Sequence, residues 1–236
     1  PFDGDGSYSF SDPLSASFGG TTGGNASLEE ETATTVTYGL VFQPSFLDGL
    51  TVTLDYWDIE IEDAIEAVSA QDIVDACVRG ATLNDAFCSL FSRNPDPNSA
   101  QFGGFNSLQQ TPINFASLES DGIDFVVGYD FMLGEHDFGA SIAGTWVNEL
   151  NRFSDPLDNS VVDEELGEIR RPELAGNIFL DWAWRGLKIQ WQTQYQDEQL
   201  LDFVEIDTAQ TLYGDSVVQD EYWQHDIAFR YALKDS

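Results

Sequence analysis

Alternation of apolar and polar residues is the dominant signal along the chain, and it is cleanest over residues 174–196, LAGNIFLDWAWRGLKIQWQTQYQ. Two alternating runs meet at Arg185-Gly186, which predicts a β-hairpin. In the first run Ile178, Leu180, Trp182 and Trp184 share one face, while Asn177, Asp181, Ala175 and Ala183 share the other with Phe179. In the second, Leu187, Ile189, Trp191 and Tyr195 continue an apolar face broken only by Thr193. Lys188, Gln190, Gln192, Gln194 and Gln196 make the opposite face polar. A soluble sandwich also alternates, but its apolar face is ordinarily aliphatic and its polar face rich in Lys, Glu and Thr. Trp and Tyr near the ends of an apolar face, with polar groups opposite, are the pattern of a transmembrane barrel strand. A charge on the lipid side costs roughly 2–4 kcal/mol at the bilayer midplane, and neither run carries one there.

The same pattern predicts further strands. Val36, Tyr38, Leu40 and Phe42 alternate with Thr35, Thr37, Gly39 and Val41 in a first strand. Leu50, Val52, Leu54 and Tyr56 alternate with Thr51, Thr53 and Asp55 in a second, which runs on through Trp57-Asp58-Ile59-Glu60-Ile61 with its apolar phase shifted by one residue. Such a shift marks a bulge or a strand leaving one environment for another. A third strand is expected over about 108–130, with Ile123, Phe125, Val127 and Tyr129 facing oil. A fourth carries Phe138, Ala140, Ile142 and Trp146. The hairpin supplies the fifth and sixth, and Trp223, Ile227, Phe229 and Tyr231 form a seventh.

The links after the first, third and fifth strands are short (QPSFLDG, MLGEH, Arg185-Gly186). Those after the second, fourth and sixth are long and polar. All short turns therefore fall at one end, the layout of an outer-membrane barrel with short periplasmic turns and long extracellular loops. The expected fold is an all-β, antiparallel transmembrane β-barrel. Seven strands would leave two unpaired edges in lipid, so the chain is expected to be part of a larger barrel.

Residues 1–33 read as an extracellular, Gly- and Ser-rich loop segment, 34–236 as a partial transmembrane barrel of about seven strands, and 62–108 as an extracellular loop within it. Within that loop Ser69 with Asp72, and Thr82 with Asp85, fit helix-start signatures and predict two short loop helices over 71–77 and 83–91. Cys77 and Cys88 lie eleven positions apart with no neighbouring His, so a disulfide is expected rather than zinc. It would close a short loop, contribute roughly 3 kcal/mol on a chain-entropy model, and imply an oxidising compartment. Asp3-Gly4-Asp5-Gly6-Ser7 resembles the start of a calcium loop, but position twelve is Leu14, so an EF-hand is not expected. Asn25-Ala26-Ser27 matches an N-glycosylation pattern.

The 42 Asp and Glu against 9 Lys and Arg give a net charge of -33, which disfavours nucleic acid and anionic lipid headgroups as partners. The excess acids are expected in solvated loops. No run approaches the ~18 apolar residues of a membrane helix. The chain opens at Pro1 without a basic leader, the expectation being a fragment or a mature piece.

GNASLEEETATTVTYGL resembles the Gly-Asn-x-x-Leu-x-x-Glu-Thr segment of TonB-dependent receptors through Gly24, Asn25, Leu28, Glu31 and Thr32, with Glu30 where that family usually has Pro. LTVTLDYWDIEIEDAI resembles the following strand with its Asp-Tyr-aromatic-x-Ile pattern. LESDGIDFVVGY resembles the Glu-x-x-Gly-Ile-Asp strand through Glu119, Gly122, Ile123 and Asp124, and RRPELAGNIFLDW the strand opened by Arg171-Pro172. ACVRGATLNDAFCSLFSRNP is similar to a loop in one branch of these receptors. The resemblance runs from about Gly24 onward and rests on the order and spacing of these segments. It implies the C-terminal part of a 22-stranded barrel in the outer membrane of a Gram-negative bacterium. The whole receptor would import a scarce nutrient of the siderophore, cobalamin, saccharide or peptide class, energised by the TonB complex through a plug domain not seen in this sequence.

On that reading the partners are outer-membrane lipid, TonB and a small nutrient. No cofactor, metal or catalytic residue is expected, and the protein is not expected to be an enzyme. His136 and His225 have no nucleophile motif beside them. Candidate ligand-facing residues of the lumen are Glu60, Asp124, Gln190, Gln192 and Gln194, all of which would equally serve to hydrate a polar barrel interior. The acidity favours a neutral or cationic ligand over a strongly anionic one. The alternative is a secreted, soluble, acidic β-protein binding carbohydrate through its Trp and Tyr residues.

Overall fold

The alternating runs become strands throughout the computed structural model, which describes residues 19–79, 86–158, 160–200 and 206–232. In chain order these are β1 (Gly20–Thr22), β2 (Thr32–Phe42), β3 (Leu50–Glu66), β4 (Phe91–Arg93), β5 (Phe105–Gln110), β6 (Ile113–Leu133), β7 (His136–Phe153), β8 (Asp163–Glu164), β9 (Leu174–Trp184), β10 (Leu187–Gln196), β11 (Gln199–Leu200), β12 (Val218–Gln219) and β13 (Tyr222–Tyr231). Helices α1 (Ala70–Arg79) and α2 (Ile206–Tyr213) and two 3-10 turns, Ala86–Leu90 and Gly214–Val217, lie in the long loops. None of these helices is long and apolar enough to cross a membrane.

The seven long strands form one sheet in the order β2-β3-β6-β7-β9-β10-β13, each beside its predecessor, with β8 paired to β7. Hairpin β9–β10 pairs Leu187 with Trp184 and Gln196 with Ala175, so the face assignments read from the alternation hold across the turn. Arg185 (φ 45°) and Gly186 (φ 89°) both take left-handed backbone, the two-residue turn whose twist matches the strands it joins. The Arg185 Nε then donates to Glu135 Oε2 of the adjacent β6–β7 turn at 2.7 Å.

Reading across β7, β9, β10 and β13, the apolar face is built in rows. At the short-turn end sit His136, Trp184, Leu187 and Tyr231, and above them Phe138, Trp182, Ile189 and Phe229. The row midway holds Ala140, Leu180, Trp191 and Ile227. Toward the long loops come Ile142, Ile178, Thr193 and His225, then Gly144, Gly176, Tyr195 and Trp223. Aromatic rings thus mark both ends. His136 stacks between Trp182 and Trp184 at 5.8 and 5.6 Å, and Phe131 stacks on Phe138 at 5.0 Å. At the other end Tyr195 meets Trp223 at 4.5 Å and Tyr38 meets Tyr56 at 6.4 Å. Strand β9 runs from Trp184 to Gly176 between these ends, roughly 26 Å of strand at ~3.3 Å per residue. Tilt would reduce that to roughly 20 Å of height, close to a bilayer's apolar band. The one polar pair between the ends, Thr193 Oγ1 and His225 Nδ1, is closed on itself at 2.8 Å.

Strands β3, β6 and β7, of 17, 21 and 18 residues, exceed the ~9–11 needed to span a bilayer. A second compact unit takes in described residues 19–32, 62–79, 86–117, 153–158 and 160–161. Here Val68, Ile73, Ala76, Cys77, Phe87, Leu90, Leu108 and Ile113 form a hydrophobic core. Ile73 is fully buried, worth about 1.5–3 kcal/mol. Ser69 caps α1, its Oγ accepting from the Asp72 amide at 3.2 Å and donating to Asp72 Oδ2 at 2.5 Å. The Cys77–Cys88 disulfide ties α1 to the following 3-10 turn.

Several expectations need correction. The third strand is two, β5 and β6, separated at Thr111-Pro112 because Pro112 has no amide to continue the ladder. The N-terminal segment is not all loop, since β1 pairs in parallel with β5. The second loop helix is a 3-10 turn, and the last loop carries a helix, α2. Thr82 and Asp85, like the Asp3–Ser7 run and Leu14, lie outside the described residues.

Candidate functional site

The face opposite the aromatic rows carries a ladder of polar side chains. Asp181 Oδ1 accepts from Gln190 Nε2 at 2.7 Å and pairs with Lys188 Nζ at 3.0 Å. Asn177 Oδ1 accepts from Gln192 Nε2 at 3.4 Å, and Asp124 Oδ1 accepts from Thr145 Oγ1 at 2.5 Å. Because period-two geometry forces neighbours on adjacent strands onto one side, these side chains form one mainly hydrophilic face, interrupted by Phe179 opposite Gln192. Small residues keep it open: a shallow groove lined by Asp124, Thr145, Asn177, Gln194 and Gln196 runs over Ala143 and Ala175.

At the long-loop end a buried ionic cluster fixes the β7–β9 loop. Glu165, 7 % exposed, takes Arg152 Nε at 2.9 Å and Arg171 Nη2 at 3.1 Å. Glu168, 5 % exposed, takes Arg171 Nη1 at 2.6 Å. Burial pushes the Glu168 carboxyl above its ordinary value, the Arg171 guanidinium opposing only part of that rise. Backbone bonds complete the clamp: Glu165 N to Leu150 O at 2.9 Å, Leu200 N to Gly167 O at 2.8 Å, and Arg170 N to Gln199 Oε1 at 2.6 Å. The acidic loop is therefore not uniformly solvated, as its composition suggested. Two of its acids are sequestered because two arginines reach them.

Among the described residues no group of three or more His, Cys, Asp or Glu is arranged to hold a metal ion. The β-barrel family described as TonB dependent receptor-like matches residues 2–236, nearly the whole chain. The chain belongs to that family. No curated relative matches its sequence. Among solved structures it is similar to the siderophore receptor PirA of Acinetobacter baumannii, at 16% identity and TM-score 0.52 over 91% of this chain and 27% of that one. A mutant ferric enterobactin receptor PfeA of Pseudomonas aeruginosa, in complex with enterobactin, aligns at 16% identity and TM-score 0.53, over 92% of this chain and 26% of the receptor. The outer membrane transporter YddB of Escherichia coli aligns at 11% identity and TM-score 0.53 over 89% and 27%. The chain spans about a quarter of the length of these proteins. At such identity the likeness is one of fold: part of an outer-membrane β-barrel receptor, in the Gram-negative outer membrane. The soluble, secreted alternative falls with that assignment.

Within this TonB-dependent receptor barrel, the residues singled out from sequence divide. Asp124 and Gln194 meet in the groove, while Gln190 and Gln192 lie along the same polar face, engaged by Asp181 and Asn177. Glu60 does not join them. Strand β3 is unbroken past the phase change, so alternation puts Glu60 with Tyr56 and Asp58, whose side chains are hydrogen-bonded at 3.3 Å. Trp57 takes the side of Gly122 and Asp124 instead, its ring covering Gly122 so closely that a Cβ there would lie 2.6 Å from both the ring and the Trp146 carbonyl oxygen. That the glutamines share one polar face was legible from period two alone. The clamp of Arg152, Glu165, Glu168 and Arg171 was not, since its members lie up to nineteen positions apart and only Arg171 falls in a recognisable segment.

Proposed function

We propose that this chain forms part of the barrel of a TonB-dependent receptor that imports a scarce nutrient across the outer membrane. The single observation carrying this reading is the sequential, two-faced sheet: aromatic rows bounding one side, a hydrogen-bonded amide and carboxylate ladder on the other. TonB-dependent receptors are transporters energised from the inner membrane, and the ladder is the wall a polar ligand or an occluding plug would meet. On this reading the short turns are periplasmic, and the loops carrying the ionic clamp and the disulfide are extracellular. Asp124 and Gln194 are the lumen residues placed to touch cargo. A net charge of -33 favours a neutral or cationic nutrient.

The test is uptake. The intact receptor, expressed in a host lacking its own receptors, should support growth on its nutrient only when TonB is present. Growth indifferent to TonB, or recovery of the receptor in buffer without detergent, would sink the reading.

A further inference from the structure

Within the loop unit a cavity of about 610 Å³ opens beside β1, the 3-10 turn and the start of β6. Its wall presents the hydroxyls of Thr21, Ser27 and Ser89, the Gln109 amide and the carboxylates of Glu29 and Asp63. Among the described residues no Lys, Arg, His or aromatic residue lines it. Asn114 positions both acidic residues. Its Oδ1 accepts from the Glu29 amide at 2.9 Å, and its Nδ2 donates to the Glu29 and Asp63 carbonyls at 3.0 and 2.7 Å. The backbone at Asp63 is held in the left-handed region, φ 55°, so this wall is a built feature of the fold.

We propose that this cavity binds a small, hydroxyl-rich cation of the amino-sugar type, an inference resting on the import reading above. The volume lies within the ~300–1,000 Å³ of small-molecule sites. Hydroxyls and amides both donate and accept, which suits the alternating hydroxyls of a sugar ring. Two carboxylates, with no basic residue beside them among the described lining residues, draw an amine and repel an anion.

Three ring compounds of similar shape and different charge test this: glucosamine, N-acetylglucosamine and glucuronate, radiolabelled, at mildly acidic pH where the amine is protonated. Binding is measured on the intact receptor in outer-membrane vesicles. Glucosamine is expected to bind about fivefold tighter than its neutral acetylated counterpart, the scale of an exposed ion pair, and glucuronate not at all. Asp63→Asn should erase most of that preference, and Ser89→Trp, which fills the cavity from an exposed position, should weaken glucosamine at least tenfold. Heat-modifiable electrophoretic mobility confirms that each variant has a folded barrel. Equal binding of all three, binding of none, or glucosamine binding untouched by Ser89→Trp overturns the proposal. TonB-dependent growth measured on the same cells separates the two readings: if growth needs TonB while these binding results fail, the cavity proposal alone falls.

Discussion

Replacing Leu180 with Arg tests which face meets lipid. Leu180 sits in the row Ala140-Leu180-Trp191-Ile227, four residues along β9 from Trp184 at one aromatic boundary and four from Gly176 at the other. That is the midplane position, where an arginine on the lipid side costs roughly 2–4 kcal/mol, a loss of about 30- to 700-fold in the folded-to-unfolded ratio. Leu187→Arg lies in the terminal row with Trp184, where the same charge costs roughly 0–1 kcal/mol. Gln192→Arg lies near the same depth as Leu180 but on the polar face, paired with Phe179, and should cost about 1 kcal/mol or less. The assay is urea titration of the intact receptor in lipid vesicles, read by electrophoretic mobility of unheated samples. The expected order of destabilisation is Leu180→Arg well above Leu187→Arg and Gln192→Arg. If Gln192→Arg is the most damaging, the faces are reversed. If all three are alike, the sheet does not sit in a bilayer.

Three further outcomes are expected. Converting Cys77 and Cys88 together to Ser should make the loop between α1 and β4 readily cleaved by protease, with a loss of roughly 3 kcal/mol in that unit, while mobility of the barrel is unchanged. Gly122→Ala should destabilise by about 1–3 kcal/mol, because the added methyl meets the Trp146 carbonyl as well as the Trp57 ring; Trp57→Ala introduced beside it should recover only part of the loss. The raised Glu168 carboxyl means the folded state holds that proton more tightly than the unfolded one. Stability of the clamped loop, followed by hydrogen exchange, should therefore rise as pH falls through the raised value and level off below the ordinary glutamate range. Glu168→Gln should flatten that segment of the profile.

Period-two patterning made the membrane-spanning part legible because one face must be oil-compatible at every position, and Ile178, Leu180 and Trp182 satisfy this without exception. Loop length then ordered the strands, and the cap at Ser69 and the Cys77–Cys88 pair located the first helix. Period two misplaced Glu60 for a physical reason. Beyond Tyr56 the strand's environment inverts, Trp57 and Ile59 turning inward while Asp58 and Glu60 turn outward, and polarity ceases to report the lumen. The loop unit was hidden for another reason: β1 pairs with β5 across more than eighty residues, and Asn114 organises Glu29 and Asp63 through backbone atoms that no composition reveals.

The strict neighbour-to-neighbour order of the sheet bears on how such a chain can change. The turn at Arg185-Gly186 closes β9 on β10 over two residues, whereas twenty residues separate β7 from β9. For flexible links that tenfold difference in length amounts to only about 2 kcal/mol of closure entropy. Inserting a further ten residues into the longer loop would cost a few tenths of a kcal/mol on the same scale. Pairing within each hairpin is therefore insulated from the loops that join hairpins, and those loops can lengthen and change chemistry while the strands keep their register.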